Sequence, residues 1–171
     1  MLLLKNADLY APEHVGRSDV LVGGGKILTV SKGLDFRVEG LEVYDLEGKI
    51  LAPGLIDQHV HITGGGGEAG YHSRTPEITL SGIIRYGTTT VVGTLGTDGC
   101  TRSLENLYSK AKALEYEGIS TFIHTGSYAL PSVTFTGSVT RDLVLIDKVI
   151  GCKIAMSDNR GSYPTSQELI K

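Results

Sequence analysis

Two histidines separated by one residue are the clearest chemical signal in this sequence of 171 residues. His59 and His61 lie in residues 55–62, an apolar run that follows Pro53 and Gly54 and therefore predicts a β-strand. Side chains alternate between the two faces of a strand, so both imidazoles would point the same way. Imidazole nitrogens suit zinc and similar divalent metals. The spacing indicates a metal site, although a solvated or structural histidine pair also fits it.

A lysine in an apolar run is the second candidate. Lys153 lies in residues 152–156, where the sequence predicts another strand. Burying a charged side chain is costly unless it is paired or chemically modified. Lys153 is therefore either a functional group or a lysine at a solvated strand end.

The elements that would position these residues alternate between strand and helix after residue 54. We predict strands over residues 55–62, 88–95, 120–125 and 152–156, and helices over residues 76–86, 104–117 and 140–149 and from residue 166. Thr75 and Pro76 would start the first helix, and the capping-box spacing of Thr165 and Glu168 would start the last. This alternation favours parallel βα units.

Residues 1–54 have a different pattern, which predicts a small β domain. Short strands are expected over residues 2–10, 20–22, 26–30, 41–45 and 49–51, with a hairpin turn at the glycines 23–25. A sheet of this size is marginal by itself and needs further strands or a covering element.

Composition excludes several functional classes. The net charge is −3 and the sequence pI is about 5.9. There is no basic stripe for nucleic acid, and no apolar run approaches the ~20 residues of a membrane span. The two cysteines do not form a disulfide framework, and the short apolar start, interrupted at Lys5, is not a signal peptide. We therefore expect a cytoplasmic protein with neither a nucleic-acid nor a membrane partner.

Residues 53–61 read Pro-Gly-x-Ile-Asp-x-His-x-His and resemble the first barrel strand of the amidohydrolase superfamily, which contains metal-dependent hydrolases with a (β/α)₈ barrel. Five further segments make the chain similar to the isoaspartyl dipeptidases, bacterial zinc enzymes that cleave β-aspartyl dipeptides. These segments are residues 64–70, 95–98, 125–128, 136–139 and 157–160.

The resemblance implies an α/β fold, the first half of a (β/α)₈ barrel preceded by a small β-sandwich domain. The small domain would span residues 1–54, and residues 55–171 would form four βα units. A complete barrel takes ~250 residues, and this stretch is long enough for about four of its eight units. We therefore expect the sequence to end within the fourth helix of the barrel.

The resemblance also implies a binuclear metal site. His59, His61 and a carboxylated Lys153 would hold part of a cage for two Zn²⁺ ions, which the lysine carbamate and a hydroxide would bridge. The family draws two further histidines and an aspartate, which acts as general base and acid, from later strands that this sequence does not include.

A second group of residues is implied to bind the dipeptide. Glu68 would hold the substrate α-amino group, Tyr128 would polarise the scissile carbonyl, and Arg160 would bind a carboxylate. The complete set of substrate contacts is Gly66, Gly67, Glu68, Thr97, Tyr128 and Arg160. A solvated loop acid, a turn threonine, a tyrosine packed on the barrel rim and an exposed arginine are the ordinary alternatives for the four side chains.

The other histidines, His14, His72 and His124, are expected to be structural or solvated. The resemblance implies a small dipeptide substrate and a homo-oligomeric protein. Another amidohydrolase, of the dihydroorotase or hydantoinase type, is the alternative enzyme. If the chain truly ends at Lys171, the alternative is an inactive fragment.

Overall fold

The computed structural model describes residues 1–160 and 163–170. The chain divides into two compact units, Met1–Pro53 and Gly54–Lys171. Each unit contains its own β-sheet, a mixed sheet in the first and a parallel sheet in the second. The candidate functional residues all lie in the second unit.

The first unit is a five-stranded sheet. Its strands are β1 (Leu2–Tyr10), β2 (His14–Gly23), β3 (Lys26–Ser31), β4 (Glu42–Asp45) and β5 (Ile50–Leu51). Strand β1 is central, because it pairs antiparallel with β2 and parallel with β4 and β5. Gly24 and Gly25 have φ values of 59° and 72° at the turn between β2 and β3. Glycine adopts this conformation without steric cost, and the predicted hairpin is confirmed.

The second unit is a four-stranded parallel sheet with helices between its strands. Its elements are β6 (Leu55–Val60), α1 (Leu80–Ile84), β7 (Thr88–Gly93), α2 (Leu104–Tyr116), β8 (Ser120–Gly126), α3 (Val139–Leu145), β9 (Val149–Lys153) and α4 (Ser166–Ile170). The strands lie in the order β6-β7-β8-β9, each parallel to its neighbour. The predicted alternation of strands and helices is confirmed.

The main core lies between one face of this sheet and helix α2. Leu107, Ala111 and Leu114 are fully buried on α2 and recur at helical spacing, so they form a single apolar stripe. Val91 of β7 and Ile123 of β8 belong to the same cluster of buried residues. Because strand side chains alternate, the residues next to these in β7 and β8 point to the opposite face, where His59 and Lys153 lie.

Helix α1 is shorter than the predicted helix over residues 76–86, and Thr75 does not cap it. The Thr75 hydroxyl instead accepts a hydrogen bond from the amide of Gly65 at 2.7 Å. Thr79 is the N-cap, and its hydroxyl accepts a hydrogen bond from the amide of Gly82. The prediction was wrong because a long-range contact uses the hydroxyl that the local pattern assigned to the helix.

Helix α3 also ends earlier than predicted, at Leu145 rather than residue 149. The backbone carbonyl of Lys148 accepts a hydrogen bond from the amide of Ile123, and Val149 is the first residue of β9. The apolar residues there belong to a short strand, which local periodicity does not distinguish from a helix. Strand β9 consequently starts three residues before the predicted strand and ends at Lys153.

Helix α4 starts where the capping box predicts. The amide of Thr165 donates to the Glu168 carboxylate at 2.8 Å, and the amide of Glu168 donates to the Thr165 hydroxyl at 3.3 Å. Among the helices of the described ranges, none has the length and apolar character that crossing a membrane requires.

Candidate metal and substrate site

The candidate residues follow the carboxyl ends of the four parallel strands. In a parallel sheet these ends share one edge, so loops that are distant in sequence become neighbours there. His61 follows β6, Thr97 follows β7, Tyr128 follows β8, and Lys153 ends β9.

The two histidines lie close together with defined ring orientations. The ring centroids of His59 and His61 are 5.3 Å apart and the rings are nearly perpendicular. His61 Nδ1 lies 3.0 Å from the carbonyl oxygen of Thr94. A carbonyl oxygen only accepts hydrogen bonds, so Nδ1 is the donor, and in the neutral ring the lone pair is then on Nε2. This is the arrangement that metal-ligating histidines usually have.

Lys153 lies directly beside this pair. Its Nζ is 3.4 Å from His59 Nε2 and 5.2 Å from the centre of the Tyr128 ring. Burial lowers the pKa of the Lys153 ammonium group. Burial and the neighbouring Lys153 charge lower the pKa of His59. Both groups are thus biased toward their neutral forms, and a neutral amine is the form that reacts with carbon dioxide.

A glycine allows β8 and β9 to approach at Lys153. Gly126 has φ +83°, and a Cβ atom there would lie 2.3 Å from the carbonyl oxygen of Lys153. A side chain would therefore clash with the backbone of β9. Gly126 belongs to the motif of residues 125–128, which also contains Tyr128. Its close approach to Lys153 therefore keeps the start of the Tyr128 loop near the end of β9.

The donor set fits a metal site only if Lys153 is modified. Within residues 1–160 and 163–170, no group of three or more His, Cys, Asp or Glu side chains could hold a metal ion. The candidate set is two imidazoles and a lysine, and carboxylation would convert that lysine into an anionic oxygen ligand.

The loop after β6, residues 64–74, carries Glu68 and is called the glycine loop below. Gly66 has φ +72°, and a Cβ atom there would lie 2.3 Å from the carbonyl oxygen of Ser73, so a tight fold of the loop requires glycine. The amide of Gly67 donates to the hydroxyl of Ser73 at 3.1 Å. These contacts fold the loop onto itself and present Glu68 at its outer end.

Glu68 contacts two neighbouring loops. Its Oε1 accepts hydrogen bonds from the Thr97 hydroxyl at 3.0 Å and from the Arg160 guanidinium at 3.3 Å. Hydrogen bonds from its own backbone amide and from Thr97, together with the Arg160 charge, lower the pKa of Glu68. The carboxylate is therefore ionised at neutral pH, as recognition of an ammonium group requires.

Arg160 is held by a residue to which the sequence assigned no role. The Asp158 carboxylate accepts hydrogen bonds from Arg160 Nε at 2.9 Å and from its terminal nitrogen at 2.8 Å. These bonds lower the pKa of Asp158 and raise that of Arg160. A second terminal contact places Arg160 3.4 Å from the hydroxyl of Tyr128. The spacing of an acid two residues before an arginine was the available sequence signal.

Five of the six substrate-contact residues line a cleft of about 440 Å³. They are Gly66, Gly67, Glu68, Thr97 and Arg160, and other lining residues include Tyr71, Arg74 and Asp98. Tyr128 reaches this group through its contact with Arg160. The structure thus brings the sequence-derived residues together, while their roles stay predictions.

His124 lies closer to the candidate metal site than the sequence indicates. A Cβ atom on Gly151 would lie 2.9 Å from the His124 ring, and Gly151 precedes Lys153 by two residues on the same face of β9. Burial, followed by the Lys153 charge, lowers the pKa of His124. His14 lies in the first unit, where it pairs with Asp8 at 2.7 Å.

Several known proteins are similar to this chain, and they carry different enzyme names. No protein-family profile matches the chain. The crystal structure of β-aspartyl dipeptidase from Fervidobacterium islandicum AW-1, in complex with β-Asp-Leu dipeptide, is 58% identical to it with a TM-score of 0.92. The match covers 99% of this chain and 45% of that one.

More distant relatives are named dihydroorotase and D-hydantoinase. Dihydroorotase from Lactobacillus leichmannii is 36% identical over 150 residues, which are 87% of this chain and 31% of that protein. D-Hydantoinase from Thermus sp. has a TM-score of 0.67 at 20% identity over 99% of this chain and 36% of its own, which shows the fold alone.

The chain spans less than half the length of each of these relatives. The predicted fold class is confirmed, because the four βα units match the first part of a (β/α)₈ barrel of the amidohydrolase type and follow a small sheet domain. The predicted resemblance is confirmed as well: this chain is similar over nearly its whole length to the N-terminal part of an isoaspartyl dipeptidase of the amidohydrolase superfamily.

Proposed function

We propose that the protein containing this chain hydrolyses β-aspartyl dipeptides. The observation that carries the proposal is the convergence of Glu68, Thr97 and Arg160 in one cleft, beside the His59–Lys153 pair. The solved relative at 58% identity is named a β-aspartyl dipeptidase and contains β-Asp-Leu.

The charges of the cleft suit a dipeptide with both an amino and a carboxylate group. An ionised Glu68 would bind the substrate α-ammonium group through charge-assisted hydrogen bonds. Asp158 pairs with Nε and one terminal nitrogen of Arg160 and so fixes the direction of the guanidinium, whose terminal N–H groups at the cleft would donate to a substrate carboxylate. A cyclic amide substrate has no ammonium group, so an ionised Glu68 would have no partner on it.

The nitrogen groups would hold the metal. We infer that His59, His61 and Lys153, carboxylated by carbon dioxide, are this chain's ligands to two Zn²⁺ ions. When bound, the zinc pair would lower the pKa of water and polarise the scissile amide. His61 contributes a ring oriented by the Thr94 carbonyl, and the bias of Lys153 toward its neutral form favours carboxylation.

Tyr128 would assist at the scissile carbonyl. Its hydroxyl lies 3.4 Å from the Arg160 guanidinium, and its ring lies 5.2 Å from Lys153 Nζ, so the phenol stands between the substrate cleft and the metal ligands. A hydroxyl donor at this place would stabilise the oxyanion that develops as the amide is attacked. The role needs a hydroxyl and not merely an aromatic ring.

The test is steady-state turnover by the purified, zinc-loaded protein of three substrates: β-Asp-Leu, dihydroorotate and a hydantoin. We expect hydrolysis of the dipeptide only. Turnover of dihydroorotate in preference to the dipeptide would establish the second candidate, which the 36% identity to a dihydroorotase favours. The activity belongs to the whole protein, so the assay uses the polypeptide as it is naturally produced.

A matched pair of variants tests how the dipeptide is recognised. Glu68→Gln keeps the shape of the side chain but removes its charge, and we expect KM for β-Asp-Leu to rise about tenfold or more. Glu117→Gln changes an exposed glutamate at the end of α2 and should leave KM unchanged. An unchanged KM in Glu68→Gln would contradict the assignment of Glu68 to the α-amino group.

A further inference from the structure

Arg102 is a buried cation beside the glycine loop. Its side chain is 5% exposed, although it directly precedes Ser103, the N-cap of α2. The amino end of a helix carries partial positive charge, so this position disfavours a cation. Burial adds a further cost unless the charge is paired and hydrogen-bonded. A buried arginine at such a place requires specific partners.

The partners of Arg102 are the two ends of the glycine loop. Its Nε donates to the carbonyl oxygen of Thr63 at 3.0 Å, and a terminal nitrogen donates to the carbonyl oxygen of Thr75 at 2.9 Å. Thr63 directly precedes the loop and Thr75 directly follows it. One planar guanidinium therefore bridges both ends of the segment that carries Glu68.

The third nitrogen of the fork faces the loop after β7. It lies 3.5 Å from a carboxylate oxygen of Asp98, which follows Thr97 in the chain. Two features hold this carboxylate in place: Thr101 and Cys100 donate their amides to it at 2.7 and 3.2 Å. Arg102 thus connects the base of the glycine loop to the loop whose threonine contacts Glu68.

The start of the loop leaves no room for a side chain at Gly64. Gly64 has φ +86°, and a Cβ atom there would lie 2.3 Å from the Thr75 carbonyl oxygen and 3.0 Å from a terminal nitrogen of Arg102. The guanidinium is therefore packed directly against the start of the loop. The first glycine of the loop therefore lies in close contact with Arg102.

We propose that Arg102 is a positioning residue, which clamps both ends of the glycine loop to the Asp98 loop and so holds Glu68 within reach of Thr97. The clamp needs the geometry of the fork, because two nitrogens of one plane donate to carbonyl oxygens at the two ends of the loop while the third forms an ion pair with Asp98 at 3.5 Å. A lysine has the charge but not this geometry. The clamp itself is a property of the fold, whereas its effect on substrate affinity rests on the proposed function.

The primary test is hydrogen–deuterium exchange of backbone amides in the natural protein and in Arg102→Lys and Arg102→Met. Both variants should exchange the amides of Gly65, Gly67 and Thr75 about tenfold faster or more, with less than about a twofold change along α2. Arg141→Met is the matched control, because Arg141 also lies at the start of a crossover helix but is exposed. It should exchange like the natural protein.

The kinetic readout separates positioning from general stability. Both Arg102 variants should raise KM for β-Asp-Leu about tenfold while kcat stays within about threefold, since a displaced Glu68 weakens binding before it affects bond cleavage. If the natural protein does not hydrolyse this dipeptide, the proposed function fails and the exchange result alone decides on the clamp.

Three results would overturn the proposal. Unchanged exchange in the glycine loop of Arg102→Met would show that the loop is ordered without the clamp. Faster exchange throughout α2 as well would show that Arg102 only supports the core. Full protection in Arg102→Lys would show that a buried positive charge is enough and that the fork is not required.

Discussion

Lys153 is the residue whose chemistry depends most on its neighbours. Its amine lies 3.4 Å from His59, and burial lowers its pKa, so the neutral form, whose nitrogen attacks carbon dioxide, is more populated than in a solvated lysine. In the polypeptide as it is naturally produced, we expect Lys153→Met to reduce the zinc bound per protein chain at least about tenfold, because even the loss of a hydrogen-bond partner of a metal ligand costs about 10–100-fold in affinity and Lys153 is proposed to be a ligand itself. Zinc is measured by elemental analysis after dialysis. Lys26→Met, in the first unit, is the control.

The carbamate itself has an independent signature. Protein equilibrated with ¹³C-bicarbonate should show one carbamate carbon signal in its NMR spectrum, and that signal should be absent from Lys153→Met. A signal that persists in the variant would place the modification on another lysine. No signal in zinc-loaded natural protein would contradict the proposed carboxylation.

Tyr128 allows a test of the hydroxyl alone. Tyr128→Phe keeps the ring that packs 5.2 Å from Lys153 and 5.8 Å from Arg160 but removes the donor. We expect kcat for β-Asp-Leu to fall roughly 10²–10³-fold with a smaller change in KM, as for loss of an oxyanion donor. Tyr116→Phe, at a tyrosine that is 95% exposed, is the control. A KM effect without a kcat effect would assign Tyr128 to binding only.

Glu115 gives the chain a predictable response to acid. Hydrogen bonds from Lys112 and Lys148 lower its pKa from 4.5 to about 2. Between these two pH values the unfolded chain binds more protons at Glu115 than the folded chain does. The stabilisation that ionised Glu115 provides is therefore fully present above about pH 4.5 and is lost as the pH falls toward 2. Glu115→Gln should therefore flatten the dependence of the unfolding free energy on pH in this window, as measured by urea titration. An unchanged slope relative to Glu117→Gln would contradict it.

Among the helices, the sequence correctly predicted those whose local pattern is not overridden by long-range contacts. Helix α2 has a four-residue apolar stripe, a serine N-cap and a glycine after its end, and its predicted position is confirmed. Helix α1 was misplaced because Thr75 is a contact of the glycine loop. The end of α3 was misplaced because Lys148 pairs with β8. In both cases a long-range hydrogen bond outweighed the local signal.

The candidate site was likewise predicted only in part. The motifs of residues 59–61 and 64–70 could be recognised because each is continuous in sequence. The contacts of Arg102 join it to Thr63, 39 residues away, and those of Arg160 join it to Glu68, 92 residues away. Such pairs follow from the meeting of strand ends at one edge of the sheet, so a single sequence does not predict which side chains touch.

Asp142 shows how one buried carboxylate shapes the loop before α3. It is fully buried and accepts hydrogen bonds from the Thr125 hydroxyl at 2.6 Å, the Phe135 amide at 2.9 Å, and the Thr136 amide and hydroxyl at 2.9 and 2.7 Å. Asp142→Ala leaves these donors without their acceptor, so we expect a loss of about 3 kcal/mol or more of unfolding free energy. Urea denaturation measures it.

The exposed Asp147 provides the matched control for that substitution, because Asp147→Ala removes a carboxylate just after the same helix without removing a buried acceptor. Its unfolding free energy should change by less than about 0.5 kcal/mol. If Asp142→Ala were as stable as this control, the carboxylate would not organise the loop, and the loop that carries Tyr128 would depend on other contacts.

The two outer strands of the parallel sheet, β6 and β9, affect the behaviour of the whole chain. Strands β6 and β9 have a sheet neighbour on one side only within the part of the chain that the structure describes. Leu55 and Ile56 of β6 and Ile150 of β9 are each more than half exposed. Parallel strands are normally covered on both faces and paired at their edges, since open apolar edges promote association.

We therefore expect the 171-residue chain, when produced alone, to self-associate and to lack activity. Sedimentation velocity should show species larger than the 18.2 kDa monomer that increase with protein concentration. Zinc should be lost on dialysis, because His59, His61 and Lys153 are too few ligands for a stable pair of ions. Ile56→Lys, which places a charge on the β6 edge, should shift the distribution toward monomer. A monodisperse, zinc-loaded monomer that hydrolyses β-Asp-Leu would contradict this expectation and would locate the complete site within these residues.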